Sequence, residues 1–269
     1  MLILPKNRYH ILLDSVLKIP FNMLMARSVI ADHTDGVIYV DSPEHPQSFY
    51  IIHSYGMSFL CGNSHNLDFN NDLLDYFIHR SFPRKKAEWL QAFPRDWDDF
   101  MNPLIEQGIA LPSRRLNFRF DIDKFYEIYK QMATTSFSGE VIPTPTEMLF
   151  EIDGTVVPKD YWKNPEQFSS MAKAFTVMVN GKPASTAFTS ARHDDKLEIG
   201  IETKAEHHGK GLGYIACAKL IEYCLEHQLE PVWSCRLDNI GSVKLSQKLG
   251  FVETLNMPYY HIPLSKTRN

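Results

Sequence analysis

His207-His208-Gly209-Lys210-Gly211-Leu212-Gly213-Tyr214 is the stretch on which the reading of this chain turns. It follows a strand pattern, Lys196-Leu-Glu-Ile-Gly-Ile-Glu-Thr203. It opens an amphipathic helix pattern from about Gly211 to Gln228, with Leu220, Ile221, Cys224 and Leu225 on one face. Glycines here let the backbone turn tightly and bring amides close to a ligand with no Cβ in the way. The first amides of the helix have no intrahelical partner and sit at the positive end of its dipole. Strand, glycine turn and helix start together favour an anion, with phosphate the leading choice. A P-loop does not fit, because Gly211 stands where Ser or Thr must follow Lys210. A dinucleotide fingerprint does not fit either: Gly213 follows Gly211 by two residues, and the turn succeeds an antiparallel-looking hairpin.

Working outward, the downstream order is a strand at Leu229–Leu237, a short helix at Ile240–Leu249 and a strand at Phe251–Thr254. Upstream, Asn180-Gly181 is a hairpin turn between the strands Ala174–Val179 and Pro183–Phe188. Asn164 reads as a helix N-cap with Pro165 at the first helical position, and Met148–Asp153 as a strand. The polar stretch Ser136–Thr146, with two prolines, reads as the linker. It divides the chain into an N-terminal α/β lobe, 1–135, and a second domain, 144–269. In the lobe, Tyr9–Val29 reads as one or two helices, and Gly36–Asp41, Ser48–His53 and Met57–Cys61 as strands. Asn70–His79 reads as a helix, Lys86–Ile105 as short helices with aromatic anchors, Arg115–Asp121 as a strand and Ile122–Met132 as a helix.

The turn resembles the pyrophosphate turn of the GNAT acetyltransferases, [RQ]-x-x-G-x-[GA]. His208 stands at the Arg/Gln position, Gly211 and Gly213 at the small-residue positions, and Lys210 at a position that is often basic. Asn239-Ile-Gly-Ser242-Val-Lys-Leu245-Ser-Gln-Lys248-Leu-Gly-Phe251 is similar to the second GNAT signature, N-x-x-[SA]-x-x-L-x-x-K-x-G-F, after the next strand. Tyr161-Trp162, Asn180-Gly181, Pro231-Val-Trp233 and Tyr259-Tyr260, among others, resemble the subgroup typified by the zwittermicin A resistance acetyltransferases.

The resemblance implies a mixed, mostly antiparallel α/β sheet flanked by helices, with the N-terminal lobe a candidate degenerate GNAT-like half. It implies acetyl-CoA as cosubstrate, without a metal, and acetyl transfer to a small-molecule primary amine by direct attack in a ternary complex. Ile201, Glu202 and Thr203 would bond the pantetheine through their main chain. His208, Gly209, Lys210, Gly211, Leu212, Gly213 and Tyr214 would hold the pyrophosphate, with Asn239 and Ser242 completing the site. For Asn239, a plain helix N-cap stays open beside this role. Ser246 occupies the place where many members carry a Tyr acid. Tyr260, with Tyr259 beside it, is the candidate replacement, against solvent as the proton source and against plain strand aromatics packing the core.

Two carboxylates, Glu198 and Glu202, lie four apart on one strand, an even spacing, and so share a face. They are the candidate catalytic pair, to be weighed against a polar strand face near solvent. Trp162 and Trp233 read either as acceptor-pocket walls or as packing. Two other functions stay open: a non-catalytic acyl-CoA-binding regulatory module, and a protein or peptide N-acetyltransferase.

A net charge of -4 and a pI near 6.3 give no general affinity for nucleic acid or anionic membrane, and no apolar run has transmembrane length. Four cysteines without metal-ligand spacing suit a reducing, cytoplasmic setting. A homodimer is the expected assembly, if one forms.

Overall fold

The computed structural model describes residues 1–78, 84, 86–132 and 139–264. The chain forms two compact units, Met1–Arg115 with Asn256–Asn269, and Leu116–Leu255. The boundary expected between 135 and 144 lies inside the second unit, with residues 133–138 outside the described ones.

In the first unit, β1 (Leu2–Ile3), β2 (Gly36–Val40), β3 (Ser48–His53) and β4 (Met57–Gly62) pair antiparallel in that order. β5 (Glu88–Phe93) then runs parallel to β4 through five residue pairs, Met57↔Trp89 to Cys61↔Phe93. The helices are α1 (Leu13–Leu17), α2 (Leu24–Ile30), α3 (Leu67–Phe77) and α4 (Asp98–Glu106). Alternation along the strands puts Tyr39, Tyr50, Leu60 and Leu90 on one face, against Phe69, Leu73 and Phe77 of α3 and Met101 of α4.

β6 (Leu111–Phe120) begins in the first unit and ends in the second, where α5 (Ile122–Met132) follows. The second unit adds β7 (Glu140–Pro143), α6 (Thr146–Phe150), α7 (Pro165–Met171), β8 (Ala174–Val179), β9 (Lys182–His193), β10 (Lys196–Thr203), α8 (Leu212–Glu226), β11 (Glu230–Arg236), α9 (Ile240–Lys248) and β12 (Phe251–Ile262). Strands β7 to β10 are antiparallel in order, and β11 lies parallel to β10. The core packs Leu197, Ile199, Trp233, Cys235, Leu116 and Phe118 against Cys217, Leu220, Ile221 and Cys224 of α8 and Phe125 of α5. The mixed, mostly antiparallel α/β class expected from the sequence is the one observed.

The order β-α-α-β-β-β-α-β-α-β occurs twice, from β1 to β6 and from β7 to β12. The last strand of each repeat runs on into the other unit: Tyr260–Ile262 of β12 pairs with β5, and β6 neighbours β11.

Some local expectations are corrected. Met148–Asp153 is not a strand: Thr146–Phe150 is helical, its first turn entered from Pro145, with the Leu149 side chain buried. Five apolar-rich residues do not distinguish one helical turn from a strand by periodicity. Glu140–Pro143, read as linker, is the edge strand β7. Glu88–Phe93, read as part of a helical stretch, is β5, with Glu88, Leu90 and Gln91 buried. The final strand extends through Ile262, so Tyr259 and Tyr260 are strand residues. Asn164 does cap α7, its side chain accepting from the Gln167 amide, and Asn180 and Gly181 both take positive φ in the β8–β9 turn.

Candidate active site

The strand β10 organises the site. Its ladder with β9 runs the full length from Lys196 to Thr203. Its parallel ladder with β11 runs through three pairs only, Lys196↔Glu230 to Glu198↔Val232, although both strands continue. Beyond Glu198 the main-chain groups of β10 that face β11 have no ladder partner among the described residues. Unpaired strand-edge amides and carbonyls are a ready template for an extended ligand. Ile201, Glu202 and Thr203 lie in this open stretch.

The glycine turn follows immediately. Gly209 and Gly211 have φ of +76° and +77°, a conformation that costs other residues strain, and no atom lies within 4 Å of where their Cβ would be. Gly211 is the N-cap of α8 and supplies no side-chain cap. Among the described residues, the amides of Gly209, Lys210, Gly211, Leu212 and Gly213 find no acceptor in the protein. A helix start of this kind, 15 residues long behind it, suits a diphosphate. Leu212 and Tyr214 bury their side chains in the core and offer only backbone. Burial pushes the Tyr214 phenol up from its ordinary pKa. Lys210 is exposed. The His208 ring, at the position that departs from the family pattern, places Nε2 2.7 Å from the Thr203 carbonyl oxygen and ties the turn to the strand end.

The two faces of β10 have different occupants. A Cβ on Gly213 would lie 3.4 Å from Thr203 Oγ1 and 3.8 Å from Ile201 Cγ1, so the odd-numbered residues face α8. Glu198, Gly200 and Glu202 line the opposite face. They are not a carboxylate pair. The Phe188 ring lies 2.5 Å from where a Gly200 Cβ would be, filling the space between them, and Tyr161 packs edge-on against that ring. Glu198 is 3% exposed, and its Oε1 accepts from Ser234 Oγ at 3.0 Å. Glu202 Oε2 accepts from the amides of Thr155, at 3.0 Å, and Val156, at 2.8 Å.

Asn239 Oδ1 accepts from the Ser242 amide at 3.1 Å, so the capping role is realised, and Ser242 Oγ accepts from Trp233 Nε1 at 3.2 Å. Ser246 is fully buried and donates to the Val243 carbonyl at 2.9 Å. Tyr260 belongs to the first unit. Its hydroxyl reaches Asp98 at 3.4 Å, and burial together with the Asp98 charge pushes its pKa up to about 12. Both tryptophans pack: Trp162 donates to the Thr189 carbonyl at 2.7 Å, and Trp233 lies in the core. Sequence reasoning missed Ser234, Phe188 and the Gly154–Val156 loop. The alternation of β11 would have flagged Ser234, but nothing local marks the other two.

The comparisons agree with this geometry. The profile of the GNAT acetyltransferase family matches residues 18–260. A relative from Bacillus subtilis (strain 168), the uncharacterized N-acetyltransferase YdfB, is 24% identical over 237 residues, covering 87% of this chain and 88% of its own. The crystal structure of a GCN5-related N-acetyltransferase-like protein from Streptococcus suis 89/1591 superposes with a TM-score of 0.71 at 20% identity, covering 95% of this chain and 99% of its own. A tandem GNAT protein from the clavulanic acid biosynthesis pathway superposes at 0.53 with 12% identity, over 87% of this chain and 85% of its own. With the open edge of β10, the uncapped glycine turn and a family profile that spans nine-tenths of the sequence, this chain belongs to the GNAT acetyltransferases.

Proposed function

We propose that the second unit transfers acetyl from acetyl-CoA directly to a primary amine of a small molecule, with Glu198 as general base. The observation that carries this reading is the end of the β10–β11 ladder at Glu198, just ahead of five unbonded amides in the turn. The turn takes the pyrophosphate, and the open edge at Ile201–Thr203 takes the pantetheine. The thioester is then delivered toward the strand position where the carboxylate stands. Glu198 accepts a proton from the ammonium form of the acceptor. The neutral nitrogen attacks the thioester carbonyl carbon, the C–N bond forms and the C–S bond breaks. As the tetrahedral intermediate collapses the nitrogen sheds its second proton to solvent, and CoA leaves as thiolate and takes its proton from solvent, since the Ser246 hydroxyl is committed to Val243. The subgroup resemblance supports an amine-bearing acceptor of antibiotic type.

The test is thiol release from acetyl-CoA with a panel of aminoglycoside, polyamine and amino-acid amines, set beside a lysine-containing peptide. Turnover with a small amine supports the proposal. Preference for the peptide, or tight acetyl-CoA binding without turnover on any acceptor, overturns it.

A further inference from the structure

We propose that Glu202 is a positioning residue that fixes the wall of the acceptor half of the site, and that it takes no part in proton transfer. The inference rests on the transfer reading above. Glu202 shares its face of β10 with Glu198, while α8 and the glycine turn lie against the other face. The acceptor amine must reach the face that carries the base. On that face the Glu202 carboxylate is already engaged: the Thr155 and Val156 amides both donate to Oε2, and the Thr155 hydroxyl lies 3.4 Å from it. One carboxylate oxygen thus satisfies two consecutive backbone donors of a loop with no regular structure of its own, a charge-assisted arrangement.

The loop is shaped to receive it. A Cβ on Gly154 would come within 2.4 Å of Glu202 Cδ and 2.6 Å of Cγ, so a glycine is what lets the backbone pass over the side chain. Beyond the clamp the segment is held down by buried Val157 and Pro158, by Tyr161 on Phe188 and by Trp162 on Thr189. The exposed part, Asp153 to Thr155, is fixed to β10 by Glu202. A group held this way orders a binding surface, and its loss shows in substrate affinity ahead of chemistry.

The test compares Glu202→Ala, Glu202→Gln and Gly154→Ala with the wild type, using the best acceptor of the amine panel. Glu202→Ala and Gly154→Ala should each raise the acceptor KM about tenfold, with a smaller change in kcat and an unaltered pH profile. Glu202→Gln keeps an accepting oxygen and should lie between them and the wild type. The two lesions act on one contact, so the double variant should be little worse than either single one. In the same variants, hydrogen exchange at the Thr155 and Val156 amides should accelerate. A loss of kcat in Glu202→Gln at unchanged KM, with a flattened pH profile, would assign Glu202 to acid–base chemistry and overturn the proposal. Faster exchange with unchanged KM would also overturn it, because the loop would then not touch the acceptor. If no amine is turned over by the wild type, the transfer reading fails. The exchange measurement still decides the clamp, which is refuted by unchanged protection.

Discussion

At the scale of single residues, the site divides side chains that meet substrate from those that hold the backbone in place. Glu198, the proposed base, shares its face of β10 with Glu202, whose carboxylate is spent on the Thr155 and Val156 amides. Glu198→Gln is expected to lower kcat/KM by about two to three orders of magnitude, the usual worth of a positioned base. Its acetyl-CoA dissociation constant, measured by calorimetry, should stay put. His208 does something different from the Arg or Gln of the family pattern, because its ring is spent on the Thr203 carbonyl. His208→Ala should loosen the turn and weaken acetyl-CoA binding by about five- to tenfold, one lost hydrogen bond's worth. Residues whose role is local were legible in the sequence: the Asn164 cap, the positive-φ pair Asn180-Gly181, and the glycines of the turn. Ser234 and Phe188 were not, since their meaning depends on which strand lies beside β10.

At the scale of elements, the connection between α9 and β12 is tightly built. Gly250 has a φ of +85°, and a Cβ there would stand 2.7 Å from the Phe125 amide nitrogen and 2.9 Å from the Asp121 carbonyl oxygen. Gly250→Ala must therefore strain its own backbone and push α5 off its seat at once. A loss of roughly 3 kcal/mol in denaturant unfolding is expected. Element type was read well where periodicity was long, as in α5 and α8, and poorly where it was short, as in α6 and β5. The open β10–β11 edge could not be seen at all before the fold. A ladder's end depends on how two strands diverge in space, and no residue in either one announces it.

At the scale of the whole molecule, the repeated element order raises the question of a second cosubstrate site, and the first unit answers it. Its turn after β4 is closed from within. A Cβ on Gly62 would meet the Gln47 carbonyl oxygen at 1.9 Å, and the Asn63 amide donates to that same oxygen. The His65 and Phe69 amides are satisfied by the side chains of Asn63 and Asn66. The β4–β5 ladder has no corresponding gap. Calorimetric titration should therefore find one acetyl-CoA per chain, and a second equivalent would contradict this account. The first unit also sets an acid limit. Burial, helped by the Lys86 charge, lowers the pKa of His53 to about 3. The unfolded chain takes up this proton below about pH 6.5 while the folded one resists it. His53 thus makes stability fall as pH drops from about 6.5 toward 3, a slope that His53→Gln should flatten in urea midpoints measured across that range. The repeat itself was only faintly legible, because it resides in element order and the two halves share no turn motif.

The exchange of last strands has a consequence for synthesis. Pairing of β5 with Tyr260–Ile262 joins residues 170 to 174 positions apart, with Glu88 facing Ile262. On the ribosome, the Met1–Arg115 segment emerges with the open side of β5 exposed and must wait for Tyr260–Ile262 to be made. The Leu116–Leu255 unit is continuous in sequence and can close before Asn256–Ile262 emerge. The half translated first is thus the half that finishes last, and a nascent chain stalled short of residue 255 is the species most in need of a chaperone.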